Sequence, residues 1–232
     1  MLWMLLSCTF NYQEDDGLKS ISIEQTHAVH HYNYNKPLES SLRILSMDEN
    51  LIKTGHGSGN YFKIGGHHFI ITAAHVLADS KFFFVKDGED YVTLQTAYID
   101  PDLDFAILVP RVKLHSVKPI NYRVNDKHDL SGISVVYAGY PADLKKSIFN
   151  GMVSRCSTDN FIMQSFALPG ASGSIVFDNN GRVLGVLSAI KVGYNALSPF
   201  PQLHPALVYV TRINRFSRKS IKELLVKWKT SK

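Results

Sequence analysis

From about residue 40 onward, short apolar or alternating runs follow one another: Leu42–Leu45, Tyr61–Ile64, His68–Thr72, Phe82–Val85, Tyr91–Tyr98 and Phe105–Val109. Runs of this kind, rich in branched and aromatic side chains and broken by turn formers, read as strands. Gly65-Gly66 and Lys86-Asp87-Gly88 supply turn conformations that branched residues resist. The spacing suits hairpins and predicts an antiparallel barrel. A linker near Pro110 to Pro119 precedes a second set at Ile133–Ala138, Ser147–Ser154, Asn160–Gln164, Ser174–Phe177, Val183–Ile190 and Ala206–Thr211. Asp178-Asn179-Asn180-Gly181 predicts a hairpin turn there, because Asn-Gly readily takes positive φ. Two β-rich halves of similar size result. Beyond them Ile221, Leu224, Leu225 and Trp228 recur at helical spacing, with Lys and Arg on the other faces. The chain is therefore expected to end in an amphipathic helix packed on the second barrel.

The expected class is all-β, two antiparallel β-barrels with a C-terminal amphipathic helix. Its segments are an N-terminal extension over residues 1–38, a first barrel over 39–112, a second over 113–216 and a basic helix over 217–232. A chain of 232 residues can bury one large core or two small ones. Residues 11–38 are polar and read as an extension on the surface or ahead of the core. His27, His30 and His31 complete no recognised metal-ligand spacing and read as a surface cluster. The apolar run Met1–Phe10 is too short to span a membrane and lacks the basic start and cleavage site of a signal peptide.

Charge changes the picture more than composition does. The net charge is +5, but residues 212–232 hold eight Lys or Arg against Glu223, leaving the remainder of the chain slightly acidic. Such a segment can attract nucleic acid or an anionic membrane, or can form the solvated face of a helix. Two cysteines, Cys8 and Cys156, make a disulfide framework impossible and favour a reducing or disulfide-free setting such as cytoplasm.

Three blocks carry the candidate chemistry: Thr72-Ala73-Ala74-His75-Val76, Asp104-Phe105-Ala106-Ile107-Leu108 and Pro169-Gly170-Ala171-Ser172-Gly173-Ser174. A general base must be held in hydrogen-bond reach of its partner, and a short turn after a buried strand restricts His75 in that way. A carboxylate beside an apolar run is costly to bury alone, and a histidine N–H would be the partner of Asp104. Asp100 and Asp102 lie close by as alternatives. Glycines on both sides of Ser172 let the backbone turn sharply, so that successive N–H groups converge on a developing oxyanion. A plain Gly/Ser turn would make Ser172 and Ser174 interchangeable. The order His, Asp, Ser separates the set from the α/β-hydrolases, with Ser first, and from the subtilisins, with Asp first.

These blocks resemble the trypsin-like serine peptidases of chymotrypsin fold, particularly the HtrA-like bacterial and the viral branches. The resemblance runs from Gly55 to Thr211 and includes Gly57-Ser58-Gly59, Ala138-Gly139-Tyr140-Pro141 and Gly185–Ala189. It implies that His75 is the general base, that Asp104 orients it and that Ser172 is the nucleophile. The N–H groups of Gly170 and Ser172 would form the oxyanion hole. It further implies a protein or peptide substrate, no metal or organic cofactor, and a C-terminal helix. The segments outside the resemblance leave no room for a PDZ domain of the kind many HtrA proteins carry.

Several positions depart from the family pattern. Val76 stands where secreted animal trypsins have a bridged cysteine, and Ala171 where zymogen-activated trypsins have an aspartate, so activity is expected without N-terminal cleavage. Ser174 replaces the second glycine of Gly-X-Ser-Gly-Gly. By the same resemblance Phe166 falls at the base of the specificity pocket, with Ser188, Ala189 and Ile190 along its wall. The absence of an acid there argues against a preference for Lys or Arg, and a small or apolar residue before the cut is expected. The expected function is a serine endopeptidase, with processing of a viral or cellular polyprotein as one role. The alternative is a catalytically silent protease-fold binding module.

Overall fold

The computed structural model describes residues 34–194 and 201–231, with side chains at 143, 190–194 and 201–205 outside that description. The expectations for Met1–Phe10, Cys8 and the His27, His30 and His31 cluster lie outside the described residues.

Six strands follow the first set of apolar runs: β1 (Ser41–Met47), β2 (Lys53–Ile64), β3 (His67–Thr72), β4 (Phe82–Asp87), β5 (Asp90–Asp100) and β6 (Phe105–Pro110). They pair in the order β1-β4-β5-β6-β3-β2, and the antiparallel β1–β2 ladder closes the barrel. A two-residue strand β7 (Ile120–Asn121) adds in parallel to β2 at Phe62 and Lys63. The second barrel contains β8 (Ser134–Gly139), β9 (Ser147–Cys156), β10 (Asn160–Gln164), β11 (Ile175–Asp178), β12 (Val183–Tyr194) and β13 (Pro201–Arg212). It closes in the order β10-β13-β12-β11-β8-β9. Alternation explains the pairing: in β4 Phe83 and Val85 are buried while Phe82 and Lys86 face outward.

The periodicity missed the first half of β2, because Gly55, Gly57 and Gly59 look like loop. The strand needs small residues there. A Cβ at Gly57 would lie 2.6 Å from the Val76 methyl groups, and one at Gly59 would lie 3.0 Å from Ile44 and Ile70. The extension expected over 1–38 also enters the core: helix α1 (Asn35–Ser40) buries Pro37 and Ser40. Lys36 Nζ reaches the carbonyls of Asn180 and Gly181 on the second barrel, while Glu39 O accepts from Lys118 N at 3.0 Å.

The cores of the barrels meet. Phe177 of β11 lies within the cluster that fills the first barrel, with its ring 6.4 Å from that of Phe62. A second cluster, with Tyr137, Phe161, Met163 and Val210, fills the second barrel. The terminal helix α2 (Arg218–Thr230) corrects one expectation, since it packs on β5 of the first barrel rather than on the second barrel. Its buried residues Ile221 and Leu225 join the first-barrel core. Phe216 sets this course by stacking on Phe105 at 4.0 Å, and its carbonyl accepts the buried Tyr122 hydroxyl at 2.7 Å. No helix among the described residues is long and apolar enough to cross a membrane.

Candidate active site

β3 runs from its buried end at Thr72 into a 3-10 turn, Ala74–Leu77, which carries His75. Ala73, Ala74, Val76 and Leu77 are buried around it, so the backbone of His75 is fixed while its ring stays half exposed. Asp104 heads β6 with φ of +48°, a left-handed conformation that aspartate tolerates better than most residues. Its Oδ2 lies 2.9 Å from His75 Nδ1, and its Oδ1 accepts the His75 backbone N–H at 2.9 Å. A carboxylate only accepts, so Nδ1 carries the proton and Nε2 is left as the basic nitrogen. The two competitors fall away. Asp100 accepts from Tyr98 and from the Leu103 N–H, and Asp102 is exposed on the loop.

A third donor to Asp104 is the Ser188 hydroxyl. Ser188 sits in a bulge of β12, for Leu187 pairs with Val210 and Ala189 with Tyr209, leaving Ser188 between them unpaired. A bulge re-aims a side chain, and here it turns Ser188 toward the carboxylate. Burial pushes the Asp104 carboxyl up. The hydrogen bonds from the His75 ring, Ser188 and the His75 N–H outweigh it, so the group is held below the ordinary carboxylate value.

The loop before β11 has its backbone groups used in alternation. The carbonyl of Pro169 accepts from Ala142 N at 2.7 Å, that of Gly170 from Ser58 Oγ at 2.7 Å, that of Ala171 from Ser174 N at 3.1 Å, and that of Ser172 from Ser58 N at 2.8 Å. The N–H groups of Ala171 and Gly173 donate to Leu168 O and Leu187 O. Those of Gly170 and Ser172 have no partner among the described residues. Both residues are half-buried and line the cleft, so two N–H groups one residue apart are available to an acceptor bound there. Gly170 at φ +92° and Gly173 at φ +86° supply the left-handed turns that this alternation needs.

Ser172 and Gly170 open with His75, His56, Val76 and Asp79 onto one cleft of about 340 Å³. No hydrogen bond joins Ser172 Oγ to His75 in this structure. Such contacts are often loose before substrate binds. Ser174 is fully buried, which separates it from Ser172 as a reactive hydroxyl. The structure brings His75, Asp104, Ser172 and Gly170 together. Of the expected pocket residues, Phe166 is 49% exposed with its ring 6.2 Å from Phe149, and Ala189 is exposed. The side chain of Ile190 lies outside the described residues. Among the described residues no cluster of three or more metal-ligating side chains occurs.

Two site residues were missed as such by the sequence reading. Ser58 was visible only as part of Gly57-Ser58-Gly59, yet its N–H and hydroxyl hold two carbonyls of the Ser172 loop, and its Oγ also accepts from Tyr140 N at 2.9 Å. Ala142, at φ +46°, holds the Pro169 carbonyl and bears no sequence signal. Ser174 in place of glycine is matched by Gly139 on β8, where a Cβ would run into Ser174 Oγ and lie 2.9 Å from Ser58 Oγ. Gly139→Ala is therefore expected to cost about 2 kcal/mol by overpacking. A Gly139→Ala/Ser174→Gly double variant should recover part of that in thermal unfolding. Strict additivity would show that the two positions are uncoupled.

Comparison with known proteins bears on the family and the fold. A "Serine protease HtrA-like" protein of Staphylococcus epidermidis is 30% identical over 152 residues, covering 57% of this chain and 26% of that protein. A "Probable periplasmic serine endoprotease DegP-like" protein of Bartonella henselae is 31% identical over 170 residues, covering 68% of this chain and 32% of its own length. The chain thus spans about a quarter to a third of the length of these curated relatives. The crystal structure of the Rv3671c protease from M. tuberculosis, active form, superposes with a TM-score of 0.60 at 21% identity, over 82% of this chain and 81% of that one, and shares the fold. Residues 57–186, more than half of the chain, match the family model of the trypsin-like peptidase domain. That span starts at the strand that carries Ser58 and ends in β12 beyond Ser172, and it makes the chain a member of the trypsin-like peptidase domain family.

Proposed function

We propose that the chain is a serine endopeptidase acting through an acyl-enzyme on Ser172. His75 takes the Ser172 proton through Nε2 as the hydroxyl attacks the scissile carbonyl, and Asp104 holds the ring in the required tautomer. The new oxyanion binds the N–H groups of Gly170 and Ser172. His75 then gives the proton to the leaving amine, and water releases the acyl group by the same route in reverse.

The observation that carries this reading is the pair of uncommitted N–H groups at Gly170 and Ser172, in one cleft with a histidine whose Nδ1 is bonded to a carboxylate at 2.9 Å. A catalytically silent module with a collapsed loop would have one of those N–H groups turned to a carbonyl; one with Ile190 closing the pocket is distinguished by fluorophosphonate labelling. The bond from Ala142 N to the Pro169 carbonyl opposes that flip, because a trans peptide points its C=O and N–H in opposite directions. Substrate preference follows from the chemistry at Phe166, where no acid is offered to a Lys or Arg side chain, so a small or apolar residue before the cut is expected.

A fluorophosphonate probe tests the mechanism directly. It should label the folded protein once, and peptide mapping should find the adduct on Ser172. Cleavage profiling of the same preparation on a peptide library should then favour small or apolar residues. A folded, monodisperse sample that resists the probe would overturn the enzymatic reading. A profile dominated by Arg or Glu would overturn the pocket alone.

A further inference from the structure

Several cations are paired with carboxylates: Lys81 with Glu49, Lys86 with Glu89, Lys118 with Glu39, Arg182 with Asp178 and Arg215 with Asp159. Arg212 is buried against the carbonyls of Lys127, His128 and Ser157. Among the described cations whose side chains make neither an ion pair nor a hydrogen bond, six line one face: Arg111, Lys113, Arg218, Lys219, Lys222 and Lys229. These six come together because α2 packs on the first barrel.

They line two neighbouring depressions along the β2–β3 turn. One, of about 340 Å³, is walled by Arg111, Lys113, Lys229, His67, His68 and Trp228. The other, of about 430 Å³, is formed by Ile64, Gly65, Arg218, Lys219 and Lys222. Gly65 and Gly66 are successive residues of the turn, so the two are adjacent. No acidic residue lines either one among the described residues. The local field is felt by His68, which is pushed below the ordinary histidine value by burial and by the charges of Lys113 and Lys63. Like charges gathered without counter-charges repel one another, a cost that an anionic ligand would remove.

The placement is equally specific. His67 and His68 begin β3, which ends toward His75, and Val109 and Pro110 end β6, which begins next to Asp104. β3 and β6 are antiparallel, so the cationic face lies at the opposite end of both strands from the catalytic residues, roughly 15–20 Å along the barrel. A ligand there leaves the cleft open.

We propose that this face binds the phosphate backbone of single-stranded nucleic acid. Six unpaired cations spread over two adjacent depressions suit several phosphates in a row rather than one. The half-buried Trp228 ring lines the same depression as Lys229, the combination of charge and aromatic surface that single-strand binders use. A bilayer is the poorer fit, because the cations line concavities, whereas membrane-surface helices present a continuous apolar face for insertion. The assignment is independent of the protease reading and fails or stands without it.

The test measures binding of a fluorescein-labelled single-stranded RNA of about 12 nucleotides by anisotropy across a salt series. The full chain should bind with a strong inverse salt dependence of about −0.7 in log–log slope per phosphate contacted. The Arg111→Ala/Lys113→Ala/Lys229→Ala variant should lose affinity on the order of tenfold or more and about 2 from the slope. Lys81→Ala/Lys86→Ala, which removes two paired cations elsewhere on the first barrel, should bind as the parent does. In a Trp3→Phe background Trp228 is the sole indole, and its emission should be quenched by the RNA. No binding, equal losses in both cation variants, or unquenched Trp228 would overturn the proposal. So would binding to phosphatidylserine vesicles or to poly-glutamate, lost in the triple variant, with none to RNA. Circular dichroism confirms that each variant is folded.

Discussion

Replacing Ser172 with alanine should lower kcat/KM for peptide hydrolysis by about 10⁵–10⁶ and abolish fluorophosphonate labelling, with the melting temperature almost unchanged. The asymmetry follows from the position of the side chain. Ser172 lines the cleft and its Oγ makes no hydrogen bond among the described residues, so its removal breaks none of the bonds that hold the loop. What fixes the loop is backbone: the Ser172 carbonyl accepts from Ser58 N at 2.8 Å, and the Gly173 N–H donates to Leu187 O at 2.8 Å. Alanine keeps both. A surface change of this sort costs within about 0.5 kcal/mol. Ser174 cannot substitute as nucleophile, because it is fully buried against Gly139. A residual rate above that in water is expected from the intact oxyanion donors. Undiminished turnover would remove Ser172 from the mechanism and with it the acyl-enzyme.

Asp104→Asn is expected to lower kcat by about 10⁴ while leaving KM within a few-fold, since the asparagine amide matches the carboxylate in shape but not in hydrogen bonding. Three donors converge on Asp104: the His75 ring N–H, the His75 backbone N–H and the Ser188 hydroxyl. An amide has one oxygen to accept them and presents an NH₂ to the rest. The ring can then satisfy that NH₂ only by accepting through Nδ1, which places its proton on Nε2 and blocks it as the base. The same substitution alters acid stability. The native carboxyl lies below its usual value near 3.8, so folding favours the charged form. That contribution is fully present above the unfolded value and is lost as pH falls through the lowered native one. Acid unfolding of Asp104→Asn should therefore show a weaker pH dependence below about pH 4. Equal acid profiles for the two proteins would show that Asp104 is not charged in the native state.

All twelve apolar runs correspond to strands, because half-buried pleats impose a local alternation that needs no knowledge of partners. His75, Asp104 and Ser172 were legible for a related reason, as each sits at the end of such a run or between glycines. The direction taken by α2 was not. Its stripe of Ile221, Leu224, Leu225 and Trp228 says that one face is buried, but the choice of the first barrel depends on Phe216 stacking against Phe105, 111 positions earlier in the chain. Nor could the bulge at Ser188 be read, since it is a mismatch between two strands and belongs to neither sequence alone.

The amino-acid sequence by itself determined the strand periodicity, the order of His75, Asp104 and Ser172 and the small residues around Ser172, all properties of short stretches of chain. The tertiary structure decided which carboxylate meets His75, which of two serines stays open to the cleft, and which backbone N–H groups are left without partners. Those outcomes rest on bonds between distant segments, as from Ser58 Oγ to the Gly170 carbonyl across 112 residues and from Ser188 to Asp104 across 84. A donor is spare only after every nearby acceptor has been assigned, and that assignment is made when the two barrels close and meet.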